Sequence, residues 1–498
     1  MNPIGLVFDS QFCETGLVPP VPVTAGRLAS LLLAQLDGSP LERPAYASLA
    51  TAVRTLAVDG RLGQDVRLPS ERDLSTAMGL SRTTVTRAYA ELIADGWARA
   101  QQGAGTFLRI PGSVGHAASP LVPLDGVEVD LTAAAVSCVP GTSALIERAM
   151  ADLPALLRGK GYQPVGLPRL REVIAERYTR RGLPTTPDQV VVTSGAMSAI
   201  AVVLRAQVRR GDRVAVETPT YASVLGAVPA AGARVVALPA GPRSVWDADA
   251  VRATVRASTP SLAYLIPDFH NPTGELMTDE ARAGTAAALR AGGTLALVDE
   301  SLVDLRLDPG PMPLPFGVHS PEAFAVGSVS KPLWGGVRVG WVRCPTTQVA
   351  AVQAARLTLD IGASALDQLV AAEFLAHPDE LLGLRLEALR TMRTAWLDAL
   401  AAVAPTWDVR EPTGGLALWV GLPERVAPEL AAAAATRGVG LAVGTQFTSD
   451  GSARERVRLP LTATLEDVDA VARLLVTAYD EVVTRGTAAT RRPFPLIA

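Results

Sequence analysis

Lysine is almost absent from this sequence, and its two occurrences therefore stand out. Lys and Arg together number 46, and the only lysines are Lys160 and Lys331, which leaves 46 − 2 = 44 arginines. A guanidinium stays protonated and is a poor nucleophile, so arginine cannot form an imine. A lysine kept against this bias is a candidate for covalent chemistry, and chance survival is the alternative reading.

Cysteine, histidine and long apolar runs are also scarce. The 3 cysteines (Cys13, Cys138 and Cys344) are scattered without CxxC spacing, which favours reduced thiols over disulfides or a zinc site. The 4 histidines are scattered as well, so we expect no structural metal. No apolar run reaches roughly eighteen residues and no basic leader begins the chain, which together predict a cytoplasmic protein.

Length and charge give coarser bounds. A chain of 498 residues predicts two or three domains, and 48% hydrophobic with 19% charged residues is typical of globular proteins. The net charge of −3 does not indicate nucleic-acid binding by itself. Residues 41–110, however, contain nine arginines against seven acidic residues, a local excess of 9 − 7 = +2.

Alternating apolar runs predict the architecture of the larger, C-terminal part. Six short runs, separated by amphipathic stretches, occupy residues 189–193, 213–217, 234–238, 262–267, 294–299 and 324–328. Such runs are typical of a parallel sheet covered on both faces, which places the fold in the α/β class. A long helical stretch is predicted from Gly340 through Leu400, followed by a smaller C-terminal domain to about Val483.

Two capped helices are predicted within residues 68–108. Ser70 stands three residues before Asp73, which is the spacing of an N-terminal helix cap, and Ser81 caps the second helix. Gly79 allows the tight turn between them. The expected apolar positions of the two helices and their turn are Leu74, Ala77, Leu80, Val85, Ala88, Tyr89 and Leu92.

Polar and basic side chains follow the start of the second helix. A recognition helix presents such side chains to base edges and phosphates, whereas a solvated helical hairpin would carry them as well. The strings LPSER, SRTTV and AYAEL, followed by the wing sequence GAGTF, resemble the GntR family of winged helix-turn-helix proteins. The resemblance implies double-stranded operator DNA as a partner, contacted by Ser70, Arg72, Ser81, Arg82, Thr83, Thr84, Arg87, Gly103, Gly105 and Thr106.

The wing departs from the family pattern. Gln101 and Gln102 stand where basic residues usually precede the wing glycines, and Arg99 is a partial substitute.

The string GSVSKPLWGGVRVG surrounds the second lysine with hydroxyls and a glycine-rich turn. Arg338 lies seven residues beyond Lys331 (338 − 331 = 7). An amine for an imine, with hydroxyls and a guanidinium fork for a phosphate, is what a phosphorylated aldehyde cofactor needs. Over roughly residues 129–483 the chain resembles the fold-type I aminotransferases, which bind pyridoxal 5'-phosphate.

This resemblance implies specific roles near the lysine. Lys331 is the catalytic residue and carries the cofactor as an internal aldimine. Ser328, Ser330 and Arg338 hold the phosphate. Asp299, at the end of a predicted strand, pairs with the pyridine nitrogen and keeps the ring an electron sink.

Four further positions follow from the same resemblance. Asn271 in HNPTG bonds the ring hydroxyl, and Tyr221 in ETPTY stacks on the ring. Tyr162 reaches the phosphate of a neighbouring subunit. Arg458 in RVRLPL clamps the carboxylate of a substrate or effector. Taken singly these residues have ordinary readings as turn, core or surface positions, and their order along the chain is what favours the cofactor.

Backbone contacts and one departure complete the predicted site. Gly195, Ala196 and Met197 are expected to offer N–H groups to the phosphate at a helix start. The tyrosine that usually stands shortly after the pyridine-pairing aspartate is missing here. Either Ser301 supplies a shorter hydroxyl near Asp299, or the contact to the ring oxygen is absent. Asn271, by contrast, is the choice typical of enzymes, so residual turnover remains open.

A GntR head joined to an aminotransferase-like domain is the architecture of the MocR regulators, which this chain resembles end to end. That likeness implies a homodimer in the bacterial cytoplasm, associated with the nucleoid when on DNA, that senses an amino compound or pyridoxal phosphate through the Lys331 aldimine. A catalytically active aminotransferase with an accessory DNA-binding domain is the alternative, and a sensor of the cofactor alone is a third reading.

The expected division of the chain is an N-terminal extension (1–40), a winged helix (41–110), a linker (111–128), an aminotransferase-like domain (129–484) and a loosely ordered tail (485–498).

Overall fold

The computed structural model describes residues 23–35, 41, 43–58, 62, 66–95, 97–101, 105–108, 128–239, 246–463 and 467–490. Gly103, nearly all of the predicted linker and the last residues of the predicted tail lie outside this set. The chain divides into two compact units. Among the described residues, the first comprises those up to Leu108 with Val139–Ala144, and the second comprises residues 128–138 and the chain from Leu145 on.

The N-terminal unit is built from four helices and a two-stranded hairpin. Its elements are α1 (Ala25–Gln35), α2 (Ala45–Val58), α3 (Glu71–Met78), α4 (Arg82–Ala94), β1 (Ala98–Gln101) and β2 (Gly105–Leu108). The strands pair antiparallel, with Ala98 opposite Leu108. This order is that of a winged helix-turn-helix, as the sequence predicts.

Local side chains fix both ends of the turn between α3 and α4. The Ser70 hydroxyl accepts a hydrogen bond from the Asp73 N–H at 3.2 Å, and the Ser81 hydroxyl accepts one from the Thr84 N–H at 3.1 Å. Gly79 ends α3 in the left-handed region at φ 63°, which costs glycine little. The predicted caps and turn are therefore confirmed.

The core of this unit differs from the prediction on helix α3. Val85, Ala88, Tyr89 and Leu92 of α4 are buried as expected, and Leu80 packs against the same core. The prediction for Ala77 was wrong because it is exposed. The inner face of α3 pairs Leu74 with Met78, one turn further on.

The boundary expected at residue 41 was also wrong. Leu28 and Leu32 of α1 are fully buried in the same core as Leu74. α1 is therefore part of the N-terminal unit rather than of a separate extension.

The rest of the chain alternates strands and helices. The strands are β3 (Val129–Leu131), β4 (Val190–Thr193), β5 (Arg213–Thr218), β6 (Arg234–Pro239), β7 (Leu262–Leu265), β8 (Leu295–Asp299), β9 (Phe324–Ser328), β10 (Gly340–Arg343), β11 (Asp408–Val409), β12 (Ala417–Gly421), β13 (Val439–Val443) and β14 (Arg456–Pro460). The helices are α5 (Thr142–Ala149), α6 (Leu153–Leu156), α7 (Pro168–Arg180), α8 (Ala196–Gln207), α9 (Ala222–Ala230), α10 (Ala248–Ser258), α11 (Asp279–Ala291), α12 (Phe316–His319), α13 (Val349–Leu357), α14 (Ala365–Ala376), α15 (Asp379–Val403), α16 (Ala427–Ala435) and α17 (Val468–Thr490). Short 3-10 turns occupy Met150–Asp152, Pro187–Gln189, Thr346–Gln348 and Gly444–Phe447.

A seven-stranded sheet in the order β4-β10-β9-β8-β7-β5-β6 forms the centre of the second unit. All six predicted strands are present in it, and five of them, in the order β6, β5, β7, β8 and β9, pair in parallel. The prediction of helix directly after Gly340 was wrong. Gly340–Arg343 is a buried strand that pairs antiparallel with both β4 and β9. Its four residues are too few to show a period against the helices that follow.

A second sheet in the order β11-β12-β14-β13-β3 forms the smaller C-terminal domain. β3 joins its edge in parallel with β13, although it precedes the large sheet in the chain. The apolar side chains of this sheet share one core with α15 and α17. α17 continues to Thr490, so the first six residues of the predicted tail are helical.

Within the residues described, no helix is long and apolar enough to cross a membrane.

Candidate functional site

The polar residues that end or follow the parallel strands of the large sheet lie at one edge of that sheet. Asp299 is the last residue of β8, Lys331 follows β9 by three positions (331 − 328 = 3), and Asn271 follows β7 in the next loop. The carboxyl ends of parallel strands meet at the same edge, where α/β proteins bind ligands. These residues line one cavity of about 680 Å³, measured with its open mouth.

Seven of the predicted cofactor residues line this cavity. They are Ala196, Met197, Tyr221, Asn271, Asp299, Ser301 and Lys331. They come from five separate stretches of the sequence, and the fold therefore brings together what the motif order suggested.

Lys331 is half-buried, and its amine donates a hydrogen bond to the carbonyl oxygen of Ala134 at 2.8 Å. Desolvation and the nearby guanidinium of Arg458 together lower the pKa of Lys331 to about 8, and Asp299 acts in the opposite direction. A much larger share of this amine is neutral near pH 7 than of an ordinary lysine. Because only the neutral amine is nucleophilic, the site prepares Lys331 for attack on a carbonyl.

Asp299 lies buried at the bottom of the cavity with a hydrogen bond to each oxygen. The Tyr264 hydroxyl donates to Oδ2 at 2.7 Å, and the Ser301 N–H donates to Oδ1 at 2.9 Å. Burial raises the pKa of Asp299, and the hydrogen bonds from Ser301 and Tyr264 oppose that rise.

Sequence reasoning missed Tyr264, which stands inside an apolar run that reads as core. The sequence carries no local signal for it, because its role follows from the strand pairing. Tyr264 pairs with Leu297 in the parallel ladder of β7 and β8, and Asp299 lies two residues further on the same face.

A cradle for an anion is formed where α8 begins. No side chain caps this helix, and its N-cap Gly195 has φ 99°. The Arg338 guanidinium donates to the Ser330 hydroxyl at 3.3 Å and to the Ser194 carbonyl at 3.2 Å. A helix start with free N–H groups beside a guanidinium and a hydroxyl is suited to a phosphate.

Ser328 has a different place from Ser330. Its hydroxyl is buried, accepts a hydrogen bond from the Ser330 N–H at 3.1 Å and donates to the Val339 carbonyl at 3.0 Å. Because its only proton already has an acceptor, Ser328 shapes the turn that presents Ser330.

Gly195→Ala is expected to weaken cofactor binding at least about tenfold. A Cβ on Gly195 would lie 2.5 Å from the Arg338 guanidinium, and φ 99° strains any L side chain. Equilibrium dialysis against pyridoxal 5'-phosphate measures the effect. Gly226→Ala is the matched control, because Gly226 lies within α9 with open space around it. Equal affinity of both variants would contradict the cradle.

Arg458, on β14, lies beside the same cavity. Its guanidinium donates to Asn271 Oδ1 at 3.4 Å and to the Thr132 carbonyl, and stands 4.9 Å from the centre of the Phe447 ring. Burial lowers its pKa to about 10. It forms no ion pair with any residue that the structure describes, and its Nε is buried without a hydrogen-bond partner. An anionic ligand would satisfy this buried cation.

Tyr162 does not line the cavity of its own chain. Its side chain is 64% exposed, and the prediction that it reaches a neighbouring subunit stays a prediction.

The residues present fit a phosphorylated pyridine aldehyde. Three features lie around one cavity: the Lys331 amine with its lowered pKa, the uncapped start of α8 with Arg338, and the buried Asp299 carboxylate. The amine fits the aldehyde, the helix start with its guanidinium fits the phosphate, and the carboxylate fits a protonated ring nitrogen.

The predicted DNA-contacting side chains of the N-terminal unit lie mostly at its surface. Arg72, Arg82, Thr83 and Arg87 are exposed, and the Arg82 side chain is 72% exposed. Arg87 stands over the Tyr46 ring at 4.3 Å. The start of α4 therefore presents basic groups to solvent as a recognition helix requires.

The hydroxyls near the start of α4 bond to one another. Thr83 and Thr84 each lie 2.8 Å from the Ser81 oxygen, and the wing residues Gly105 and Thr106 stand on β2.

Sequence reasoning missed Arg67 as a wing residue. It bridges to Phe107, and a Cβ on Gly105 would lie 2.9 Å from its Nε. Arg67 is exposed and thus adds a positive charge beside the wing, where Gln101 and Gln102 supply none. The only signal was its position just before LPSER.

Two family models match the chain. "Aminotransferase class I and II" covers residues 128–475, and "Bacterial regulatory proteins, gntR family" covers residues 45–108. The first match spans most of the chain, which therefore belongs to the class I and II aminotransferase family.

The curated relatives combine the same two parts. The regulator YisV of Bacillus subtilis is 26% identical over 76% of this chain and 84% of its own length. TauR of Rhodobacter capsulatus is 27% identical over 80% of this chain and 88% of its own. The probable rhizopine catabolism regulatory protein MocR of Rhizobium meliloti is 28% identical over 61% of this chain and 66% of its own length. The chain is a member of the MocR subfamily of GntR regulators.

A solved structure agrees with this placement of the second unit. The α-aminoadipate aminotransferase LysN of Thermus thermophilus matches with a TM-score of 0.64 at 26% identity, over 72% of this chain and 94% of its own. The cofactor of this MocR-type chain is pyridoxal 5'-phosphate.

Proposed function

We propose that this MocR-type regulator changes its affinity for operator DNA when an amino compound occupies the Lys331 cavity. The observation that carries the proposal is the pair of cations Lys331 and Arg458. Arg458 is buried beside the cavity that the half-buried Lys331 lines, and both donate to backbone carbonyls rather than to a carboxylate. The aldehyde of a cofactor held on Lys331 would react with a ligand amine, and the guanidinium of Arg458, which has no ion-pair partner among the described residues, would bind a ligand carboxylate.

The chain's own residues would divide the binding of the cofactor among them. Lys331 would hold it covalently, and Ser330, Arg338 and the α8 start would hold its phosphate. Asp299 would face the ring nitrogen. Pyridoxal 5'-phosphate supplies, when bound, an aldehyde that reacts reversibly with primary amines.

Tyr221, Asn271 and Ser301 would contact the ring from the cavity wall. Arg458 would bind the carboxylate of the effector.

The strap, which we define as residues 132–138, offers its carbonyl groups to the cations of this site. Thr132 accepts from Arg458, Ala134 accepts from Lys331, and Ser137 accepts from Arg385. A cofactor bound to Lys331 would remove the hydrogen bond from Lys331 to the strap, and a carboxylate bound to Arg458 would remove the one from Arg458. Of the three hydrogen bonds, the strap would then keep only the one from Arg385.

The strap follows β3 (Val129–Leu131), which itself follows the predicted linker, so a change in the strap would be passed along the chain toward the N-terminal unit. An effector shifts DNA binding only by its differential affinity for the two states, typically about 1–3 kcal/mol, or roughly 5- to 150-fold. A homodimer would present two heads to two half-sites. Such a regulator would act in the bacterial cytoplasm, on the nucleoid.

Arg458→Met tests the proposal through DNA retention. A labelled duplex, selected from a random library by the cofactor-loaded protein, is followed by fluorescence anisotropy while an amino acid is added. The wild type is expected to change its DNA affinity at least about fivefold. Arg458→Met is expected to bind the duplex equally well without ligand and to need at least about tenfold more amino acid, because the carboxylate loses its charged partner.

Arg458→Lys, which keeps the charge, is the matched control and should respond at intermediate concentrations. The absorbance of the bound cofactor verifies that each variant is folded and loaded. A response of Arg458→Met equal to that of the wild type would contradict the proposal.

Turnover is the second candidate function, favoured by one observation. The cavity keeps Asn271, Asp299 and a Lys331 with a lowered pKa, which are the groups an aminotransferase uses. Multiple conversions of an amino acid with a 2-oxo acid, without selective DNA retention, would establish the enzyme in place of the regulator.

A further inference from the structure

We infer that the effector is an α-amino acid with an uncharged, apolar side chain, an inference that rests on the proposed function. The cofactor aldehyde held on Lys331 would take the amine of such a ligand, and Arg458 would take its carboxylate. The part of the cavity wall that contacts neither the cofactor nor the carboxylate determines which side chain the amino acid can carry.

That remaining wall is apolar. Apart from the residues assigned to the cofactor, the side chains that line the cavity include Ala134, Ile266, Phe269, Leu302, Leu416 and Ala417. Leu302, Leu416 and Ala417 are buried, and the strap residue Ala134 is half-buried. An apolar ligand group gains free energy on leaving water for such a surface.

No second charge in the described lining could receive a charged side chain. Asp299 and Lys331 are committed to the cofactor in the proposed function, and His270 is the one other titratable group there besides Tyr221. The His270 ring is buried, with its Nε2 3.3 Å from the buried carboxylate of Glu217 and its Nδ1 3.0 Å from the Thr273 hydroxyl. His270 therefore bonds to Thr273 on one side and faces the Glu217 carboxylate, without a hydrogen bond from Nε2, on the other.

Aromatic groups continue the apolar surface near Arg458. Trp419 stands directly opposite Arg458 across β12 and β14, and its ring meets Phe447 edge-on with centres 5.6 Å apart. Residues directly opposite in an antiparallel pair share one face of the sheet. The carboxylate subsite is thus bordered by aromatic rings rather than by a second cation.

A ligand panel tests this inference on the cofactor-loaded full chain. L-Leucine, L-methionine and L-phenylalanine are compared with L-glutamate, L-lysine and γ-aminobutyrate, each titrated against the absorbance of the bound cofactor. A charged group in apolar surroundings without a partner is strongly disfavoured, so the first three are expected to half-saturate at concentrations at least about 100-fold lower than glutamate or lysine. γ-Aminobutyrate, which has no side chain for the wall, is expected to bind at least about tenfold more weakly than leucine.

Ala134→Leu locates the selectivity on this wall. The added side chain would fill space above Lys331, and we expect leucine and phenylalanine to lose at least about tenfold in affinity relative to L-alanine. Ala135→Leu is the matched control, since Ala135 is also half-buried but does not line the cavity. Its selectivity should equal that of the wild type.

The two proposals fail in distinguishable ways. Apolar amino acids that change the absorbance but leave DNA affinity constant would overturn the regulatory function and support the ligand class. Preference for glutamate, lysine or γ-aminobutyrate would overturn the ligand class, whether or not DNA binding responds. An unchanged ratio between leucine and alanine in Ala134→Leu would likewise overturn it.

Discussion

Lys331→Ala is expected to purify without the visible absorbance of bound cofactor, while Lys160→Ala keeps it. These are the only two lysines of the chain, and Lys160 is exposed whereas Lys331 is half-buried and lines the cavity. Loss of the covalent attachment should weaken the retention of pyridoxal 5'-phosphate at least about 100-fold, because only the phosphate and ring contacts remain.

Absorbance spectra after dialysis, with the cofactor content determined after denaturation, measure this effect. Circular dichroism of the cofactor-free proteins separates a lost attachment from a lost fold. Equal retention in Lys331→Ala and the wild type would exclude Lys331 as the attachment point.

Joint replacement of Arg82 and Arg87 by alanine is expected to weaken DNA binding at least about 100-fold and to leave cofactor absorbance intact. Arg82 is the first residue of α4 and has an exposed guanidinium, and Arg87 lies five residues (87 − 82 = 5) further along the same helix. Base contacts of this kind are worth about 1–3 kcal/mol each. Each phosphate contact that is lost should also reduce the slope of log affinity against log salt by about 1.

Arg27→Ala is the matched control, because Arg27 is an exposed arginine of the same unit on α1. The single Arg82→Ala variant separates charge from packing, since Arg87 also stacks on Tyr46. If the double variant retained wild-type affinity and salt slope, α4 would not be the recognition helix.

Much of the site could be predicted because each strand carries its functional residue at its end. Asp299, Asn271 and Lys331 follow apolar runs that predict strands, and a parallel sheet places the ends of such runs at one edge. The helix caps at Ser70 and Ser81 are local features, so the sequence predicts them well.

Features that depend on distant pairings could not be predicted. Tyr264 reads as core until β7 is known to lie beside β8, and only then does its hydroxyl meet Asp299. β10 has four residues, and its identity as a strand comes from pairing with β4 and β9 on both sides. Leu28 and Leu32 lie outside the family pattern, so their place in the winged-helix core depended on tertiary packing.

The strap is another feature that could not be predicted from the sequence. Residues 132–138 have no motif, and their carbonyl groups carry no sequence signal. Their importance arises only from the three cations that donate to them.

Borohydride reduction of the cofactor-loaded protein, followed by peptide mapping, tests the central claim that this regulator senses through one covalent lysine. The account predicts a single pyridoxyl label on Lys331, and its loss when an effector amino acid is present during reduction. A label on Lys160, or a label on Lys331 that no amino acid displaces, would contradict it.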